Sequence, residues 1–349
     1  MNIAIIGSGF FGVACSLYLS KKHNIDLYED QSDILQQASK KNQFRFHLGY
    51  HYPRSDKTVQ EIKKSNLLFT NFYKGMFLIK TKNYYAIAKQ NSKTTLKKFL
   101  YFAKKHNLFL KKDVNTGNPY RSNFYLSNET NLNYFSFKKL IKMKIKGNKS
   151  IQLFLKTKFT KKLLPKYDKV IVCCYNNNNK VLNSIGVKKI TKLKYELVEK
   201  LVIKLPKEYR NKSYIILDGK FVCVDPYLGT KYHLLSDVKH SKLEVVKSLF
   251  PNFINKKKKY LNKGLVKVKN NINFFNFINN SKKYLPFLSD AKYIGSFFVV
   301  RTLSLSKNSI NKDERVNYIK QYGNVYSILA GKWNTSVWIA KTIEQLLKK

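Results

Sequence analysis

The sequence is short of negative charge. Twenty Asp and Glu residues stand against 67 Lys and Arg, a formal net charge of +47 over 349 residues. Cysteine is scarce too. Cys15, Cys173, Cys174 and Cys223 make up the full set, all in apolar stretches and none at CxxC spacing. That excludes a disulfide scaffold and a zinc ribbon, and it fits buried thiols in a reducing, cytoplasmic setting. No cluster has metal-ligand spacing, so no metal is expected, and no Ser–His–Asp arrangement is present. No apolar run reaches the length of a membrane span. Residues 3–19 are mostly apolar, but no basic segment precedes them, glycines interrupt them, and Lys21 and Lys22 follow rather than lead. They do not read as a leader or an anchor. No repeat occurs at solenoid periods, which excludes a stacked array.

Apolar residues make up 44% of the chain, with 24 Phe and 24 Tyr, enough for a packed core in one large or two linked domains. The lysine excess is spread along the chain together with Asn, Ile, Phe and Tyr. This is the pattern of composition bias more than of a selected polyanion surface. Even so, its field attracts anionic substrates and is sensitive to salt.

Ile3 to Ile6 is a continuous apolar run ending at Gly7, as a buried parallel strand should be. A helix is predicted over 10–22 and a second strand over 24–29, which makes a βαβ unit. A polar stretch runs from Asp30 to Asn42. Helices are expected over 56–73 and 94–106, and a strand over 77–88. Residues 169–175 read as another buried strand and Asn176–Asn179 as a turn. Extended segments over 195–205, 213–225 and 231–237 read as an antiparallel sheet. Lys256–Lys259 reads as a solvated loop, and 270–280 has no clear assignment. The chain closes with a strand over 296–303, a strand over 324–329, a turn at Ala330-Gly331-Lys332 and a helix over 335–347.

Gly7-Ser8-Gly9-Phe10-Phe11-Gly12 is GxGxxG, following a strand, opening a helix and trailed by an acid. Gly7 turns the chain off the strand. Gly9 lets backbone approach a pyrophosphate, and Gly12 lets helix and strand pack closely. The helix N-terminus offers N–H groups and a positive dipole end to that anion. Glu29, seventeen residues after Gly12, can accept from both ribose hydroxyls and would repel a 2′-phosphate. The motif alone does not separate FAD from NAD.

The order strand, GxGxxG, helix, strand, Glu, antiparallel insertion and glycine–Lys turn before a last helix resembles the D-amino acid oxidase-like FAD-dependent oxidoreductases. The resemblance covers nearly the whole chain. Ala38-Ser39 to Asn42, the peptide His47-Leu48-Gly49-Tyr50-His51-Tyr52-Pro53-Arg54 and Ala330-Gly331-Lys332 look like members from bacterial surface-polysaccharide and amino-sugar gene neighbourhoods. The fold it implies is α/β: a Rossmann-like FAD-binding domain of the glutathione-reductase type, with an antiparallel β-sheet substrate domain. The implied division is 1–75, 145–190 and 295–349 for FAD, and 76–144 and 191–294 for substrate. The implied cofactor contacts are Gly7, Ser8, Gly9, Phe10, Phe11, Gly12, Glu29, Asp30, Asn42, His47, Gly331 and Lys332. The sequence departs from the pattern at Tyr175 and the following Asn run, where relatives carry Thr or Ala and then Gly. No Cys stands near Gly331, so non-covalent FAD is expected.

The chemistry so implied is removal of a hydride, to flavin N5, from a carbon bearing an amine or hydroxyl in an amino acid, amino sugar or hydroxy acid. Lys332 and the N-terminus of the last helix are candidates to stabilise the reduced flavin. Arg301, among Phe297, Phe298, Val299 and Val300, suits capture of a carboxylate or phosphate, or else a structural ion pair. His47, His51 and Tyr52 crowd one shaped loop with Arg54; either His could act as base or orient substrate. Tyr232 and His233 are weaker candidates, and Arg315 reads as structural. The expected partner is a small anionic molecule rather than nucleic acid. Two other functions fit parts of the sequence. One is an RNA- or tRNA-directed flavoprotein or binder, which would explain the charge. The other is an NAD-dependent dehydrogenase, which would leave the Gly331 turn unexplained.

Overall fold

The computed structural model describes residues 1–113, 117–219, 221–306 and 317–348. Arg315 lies outside the described residues. Among these, two large sheets carry the fold.

The first sheet has the strand order Tyr318–Tyr322, Val325–Leu329, Lys169–Val172, Asn2–Ile6, Asn24–Tyr28, Ile151–Phe154. Its strands run parallel except for the antiparallel edge strand Tyr318–Tyr322. The apolar runs at Ala4–Ile6 and Val170–Val172 are buried, as central strands covered on both faces must be. Helix Phe10–Leu19 lies on one face and packs against the last helix, Ser336–Leu347. Ile3, Ile5, Ala14, Ile339 and Ile343 are inaccessible or nearly so and share one core.

The second sheet is mixed rather than wholly antiparallel. Strands Lys242–Ser248, Leu193–Lys204, Tyr232–Asp237, Val222–Tyr227 and Lys212–Leu217 are antiparallel neighbours, but Lys212–Leu217 pairs in parallel with Lys82–Ile87. That partner arrives from far upstream, so no hairpin sets its direction. The predicted strand over 77–88 breaks at Thr81. Leu78–Lys80 joins a small three-stranded sheet and Lys82–Ile87 the large one. The break is fixed by Thr81 Oγ1, which donates to Asn131 Oδ1 at 2.6 Å.

Several local expectations change. Residues Ile272–Ser281 form a helix. Asn271 caps it by accepting from the Asn273 amide, and Phe277 is driven inward. Lys256–Tyr260 is a 3₁₀ turn, not a plain loop. The Asn run does not stay a turn. Asn178 and Asn179 open a short helix, Asn178–Ser184, and bury their amides against backbone carbonyls. Two segments lie across the domain boundary expected from the sequence. Helix Tyr134–Lys146 packs Phe137, Ile141 and Ile145 into the first core. Strand Lys292–Leu303 pairs with Leu193–Lys204 in the second sheet, although 295 was expected to open the cofactor side.

Candidate functional site

The glycine turn is sterically determined. Gly7 has φ +93°, and a Cβ there would meet Cys173 O at 2.9 Å. A Cβ on Gly12 would lie 1.8 Å from Gly7 O. At Gly9 the nearest obstacle is Ser39 Oγ, 3.1 Å away, and that same oxygen accepts from the Phe10 amide at 3.3 Å. The segment from Ala38 to Asn42 therefore passes over the first turn of helix Phe10–Leu19. Glu29 faces the turn. Its Oε2 accepts from Ser8 N (2.9 Å) and Ser8 Oγ (2.6 Å), and its Oε1 accepts from Gln31 N (3.0 Å). Partial burial raises its pKa, and the Ser8 hydrogen bonds oppose that rise. The carboxylate is thus held at the strand end beside the helix N-terminus. Asp30 is exposed.

From this helix a cavity of about 330 Å³ runs to the second sheet. Gly9, Phe10, Phe11, Asn42, His47, His51, Arg301, Gly331 and Lys332 all line it, so the structure brings together residues from both chain ends and from the middle. Gly7, Ser8, Gly12, Glu29 and Asp30 stay at the crossover outside it. Tyr52 lies beneath, its ring 4.8 Å from Lys332 Nζ. His233 is buried away from the cavity with Nε2 on Tyr209 O at 2.9 Å, and Arg54 is paired with Asp218.

Charge distinguishes this cavity. Lys41, Arg45, Lys200, Lys242, Arg301 and Lys332 are in its wall, and among the described residues no carboxylate lines it. Arg45 pairs with the buried Asp225 behind the wall. Arg301 pairs with Glu196, which also meets Lys242 at 3.7 Å. Lys41 Nζ instead donates to Phe298 O (2.8 Å), and Lys200 Nζ to Lys41 O (2.9 Å). Burial lowers the pKa of each of these two lysines to about 8. Tyr175 forms part of the wall, and its hydroxyl accepts from the Thr302 amide at 3.0 Å. The departure from the family pattern therefore ties the first sheet to the second.

The His-rich loop is locked from two sides. Asn66 and Asn334 both donate to His47 O, at 2.9 and 3.3 Å, and Asn334 also donates to Asn66 Oδ1 at 2.6 Å. Glu129, fully enclosed, accepts from Leu48 N at 2.8 Å and from the Tyr85 hydroxyl. Burial raises its pKa to about 7. Burial first, then Lys332, Arg45 and His51, push His47 well below the ordinary histidine range, so its ring is neutral. The side-chain amide of Gln43 and the Trp333 indole nitrogen also line the cavity, shielded yet without a hydrogen-bond partner. Such unmet donors and acceptors fit a bound heterocycle with carbonyl and N–H groups of its own. Sequence reasoning missed Lys41, Gln43, Arg45, Lys200, Lys242 and Trp333. Only the closeness of the first three to Asn42 and His47, and of Trp333 to Lys332, could have flagged them.

No protein-family model matches the chain. It is 34% identical over 93 residues to the FAD-dependent monooxygenase FPY4 of Fusarium mangiferae, a match covering 26% of this chain and 25% of that protein. A 74-residue match of 34% identity to the FAD-dependent monooxygenase kojA of Aspergillus flavus covers 17% of that protein. The chain thus spans a quarter or less of these relatives' length. Solved structures match over the whole chain. Glycine oxidase from Geobacillus kaustophilus superposes with a TM-score of 0.69 at 12% identity, covering 99% of this chain and 94% of that one. The dithionite-reduced L-α-glycerophosphate oxidase from Mycoplasma pneumoniae, with FAD bound, gives 0.69 at 13% identity, covering 100% and 94%. From end to end, the chain shares the fold of these two oxidases.

Proposed function

We propose that the protein is a FAD-dependent oxidoreductase that removes a hydride from an amine- or hydroxyl-bearing carbon of a small anionic substrate. One observation carries this reading: a cavity opening from the glycine-turn helix presents, among the described residues, six cationic side chains and no carboxylate.

The residues present suit the cofactor. Gly9 and the helix N-terminus would hold the pyrophosphate, and Glu29 the ribose. Asn42, Gln43, Lys332 and Trp333 would meet the ring system, without a covalent bond. When bound, FAD supplies the hydride acceptor at its N5. The remaining work falls to the chain. Arg301, Lys194 and Lys242 all converge on the carboxylate of Glu196, so cations outnumber that acid and favour an anion. Lys41 and Lys200 add charge, each donating to a backbone carbonyl. His47, neutral and fixed by its backbone carbonyl, would orient the substrate or take its proton. Residues on the first sheet form the cofactor unit and those on the second the substrate unit. Four thiols without a disulfide support a reducing, cytoplasmic setting. Among the described residues no helix is long and apolar enough to cross a membrane.

The test is anaerobic mixing with a panel of D-amino acids, amino sugars and 2-hydroxy acids, each with and without a carboxylate or phosphate. Anionic members are expected to bleach the flavin absorbance. Bleaching by neutral members alone, or by none, would count against the reading.

A further inference from the structure

A second feature lies away from the cavity. Between Glu244 and Asp290 the chain carries ten lysines and not one acidic residue. Within that stretch, residues 254–275 leave four large apolar side chains facing solvent. Ile254 is 88% exposed, Ile272 74%, Phe275 62% and Leu265 45%. Lys256, Lys258, Lys259, Lys263, Lys267 and Lys269 are exposed around them.

The segments that carry them are anchored to neighbouring positions of the second sheet. Glu199, buried in the second sheet, gathers three parts of the segment. Lys257 Nζ reaches it from the 3₁₀ turn at 2.8 Å, and the Asn271 and Asn273 amides reach it from the start of helix Ile272–Ser281, each at 2.8 Å. Val266 bridges Ser296, and Leu265 lies against Gly295. The helix turns Phe277 inward, while Ile272 and Phe275, three positions apart, both remain exposed. Burying isolated isoleucine and phenylalanine side chains is favourable, so leaving them in water beside lysines has a cost that a partner would remove.

We propose that this surface, 254–275, docks on an anionic phospholipid bilayer, with Ile254, Leu265, Ile272 and Phe275 entering the headgroup–acyl boundary and the lysines resting among phosphates. Lysines flanking exposed aliphatic and aromatic side chains match an interfacial membrane contact. A second copy of the chain would meet the same positive charge and be repelled. RNA would answer to the lysines but leave Ile254 and Ile272 without a role. The inference stands apart from the chemistry of the cavity.

Because the whole chain is basic, the test must separate apolar insertion from charge alone. Flavin-loaded full-length protein is floated with vesicles of phosphatidylcholine, or of phosphatidylcholine mixed with phosphatidylglycerol. Wild type is expected to rise with the anionic vesicles only. The variant Ile254→Ser/Ile272→Ser/Phe275→Ser, which keeps every charge, is expected to lose at least about tenfold in partitioning. The control Leu67→Ser/Tyr101→Ser/Met143→Ser, altered at exposed apolar positions elsewhere, should partition like wild type. Flavin absorbance and melting temperature confirm that each variant is folded. In Phe275→Trp, fluorescence should be quenched by lipids brominated on the acyl chain. Equal flotation of the first variant and wild type, or absence of quenching, would overturn the proposal. So would loss of oligouridylate binding, rather than vesicle binding, in the first variant.

Discussion

Asn334 donates its side-chain amide to the backbone carbonyl of His47, 287 positions earlier, and the same amide bonds Asn66 Oδ1. The C-terminal turn and the His-rich loop are therefore one rigid wall of the cavity, although the chain reaches them at opposite ends. Replacing Asn334 by Ala leaves His47 O with one donor fewer and Asn66 Oδ1 with none from this side. The expected cost is about 1–3 kcal/mol in stability, with a lower melting temperature and faster flavin loss. Asn334→Asp should be worse than Ala, because it sets a carboxylate against two acceptors. Equal melting temperatures for all three proteins would show that the tie carries no weight.

The two glycines of the helix turn should respond differently. Gly12→Ala places a Cβ 1.8 Å from Gly7 O, backbone that cannot step aside, so soluble folded protein is not expected. Gly9→Ala meets Ser39 Oγ at 3.1 Å, a side chain that can give way. That variant should fold and bind FAD more weakly. Melting curves and FAD titration of both variants check the contrast.

Arg301 is a cavity cation paired with an acid, Glu196. In Arg301→Met, Glu196 keeps Lys194 at 3.1 Å and Lys242 at 3.7 Å, so the fold should survive. Substrate capture should not. KM for an anionic substrate is expected to rise about 10–100-fold, as for loss of a charged hydrogen bond, with kcat changed less. A fall in kcat at constant KM would move Arg301 from binding to the chemical step.

Lys41 and Lys200, each with a pKa of about 8, give the cavity a pH-dependent charge. Below that pH both carry a proton and attract an anion. As pH rises past it both become neutral and the attraction fades. KM for the anionic substrate should therefore be low under neutral conditions and climb through the region of pH 8, and Lys200→Met should flatten the climb. Since a bound anion stabilises the ammonium form, the turning point in kcat should lie higher than in kcat/KM.

What could be read from the sequence follows from how local each signal is. The strand–glycine–helix–Glu29 unit needs only neighbours in sequence, and it stands as expected. The Gly331 turn and the last helix are equally local. Lys41 and Lys200 were hidden because lysine is everywhere in this chain, and only the inward-facing register of distant strands marks these two. Arg301 was open between capture and an ion pair because its partner Glu196 sits 105 positions upstream. In the structure it pairs with Glu196, and it does so on the cavity wall. Helix Ile272–Ser281 resisted assignment because asparagine favours caps and turns. Its identity comes from burying Phe277 against the second sheet, a tertiary term that no local propensity contains.

The central claim is that the crossover between the first strand and first helix, with Glu29, holds FAD. Purified protein, stripped of any nucleotide and titrated with FAD, should turn yellow with about one flavin per chain and release it on denaturation. Glu29→Gln should bind about 10–100-fold more weakly, the range for a hydrogen bond to a charged group. A colourless protein that takes up no FAD, or equal affinity in Glu29→Gln, would contradict the account.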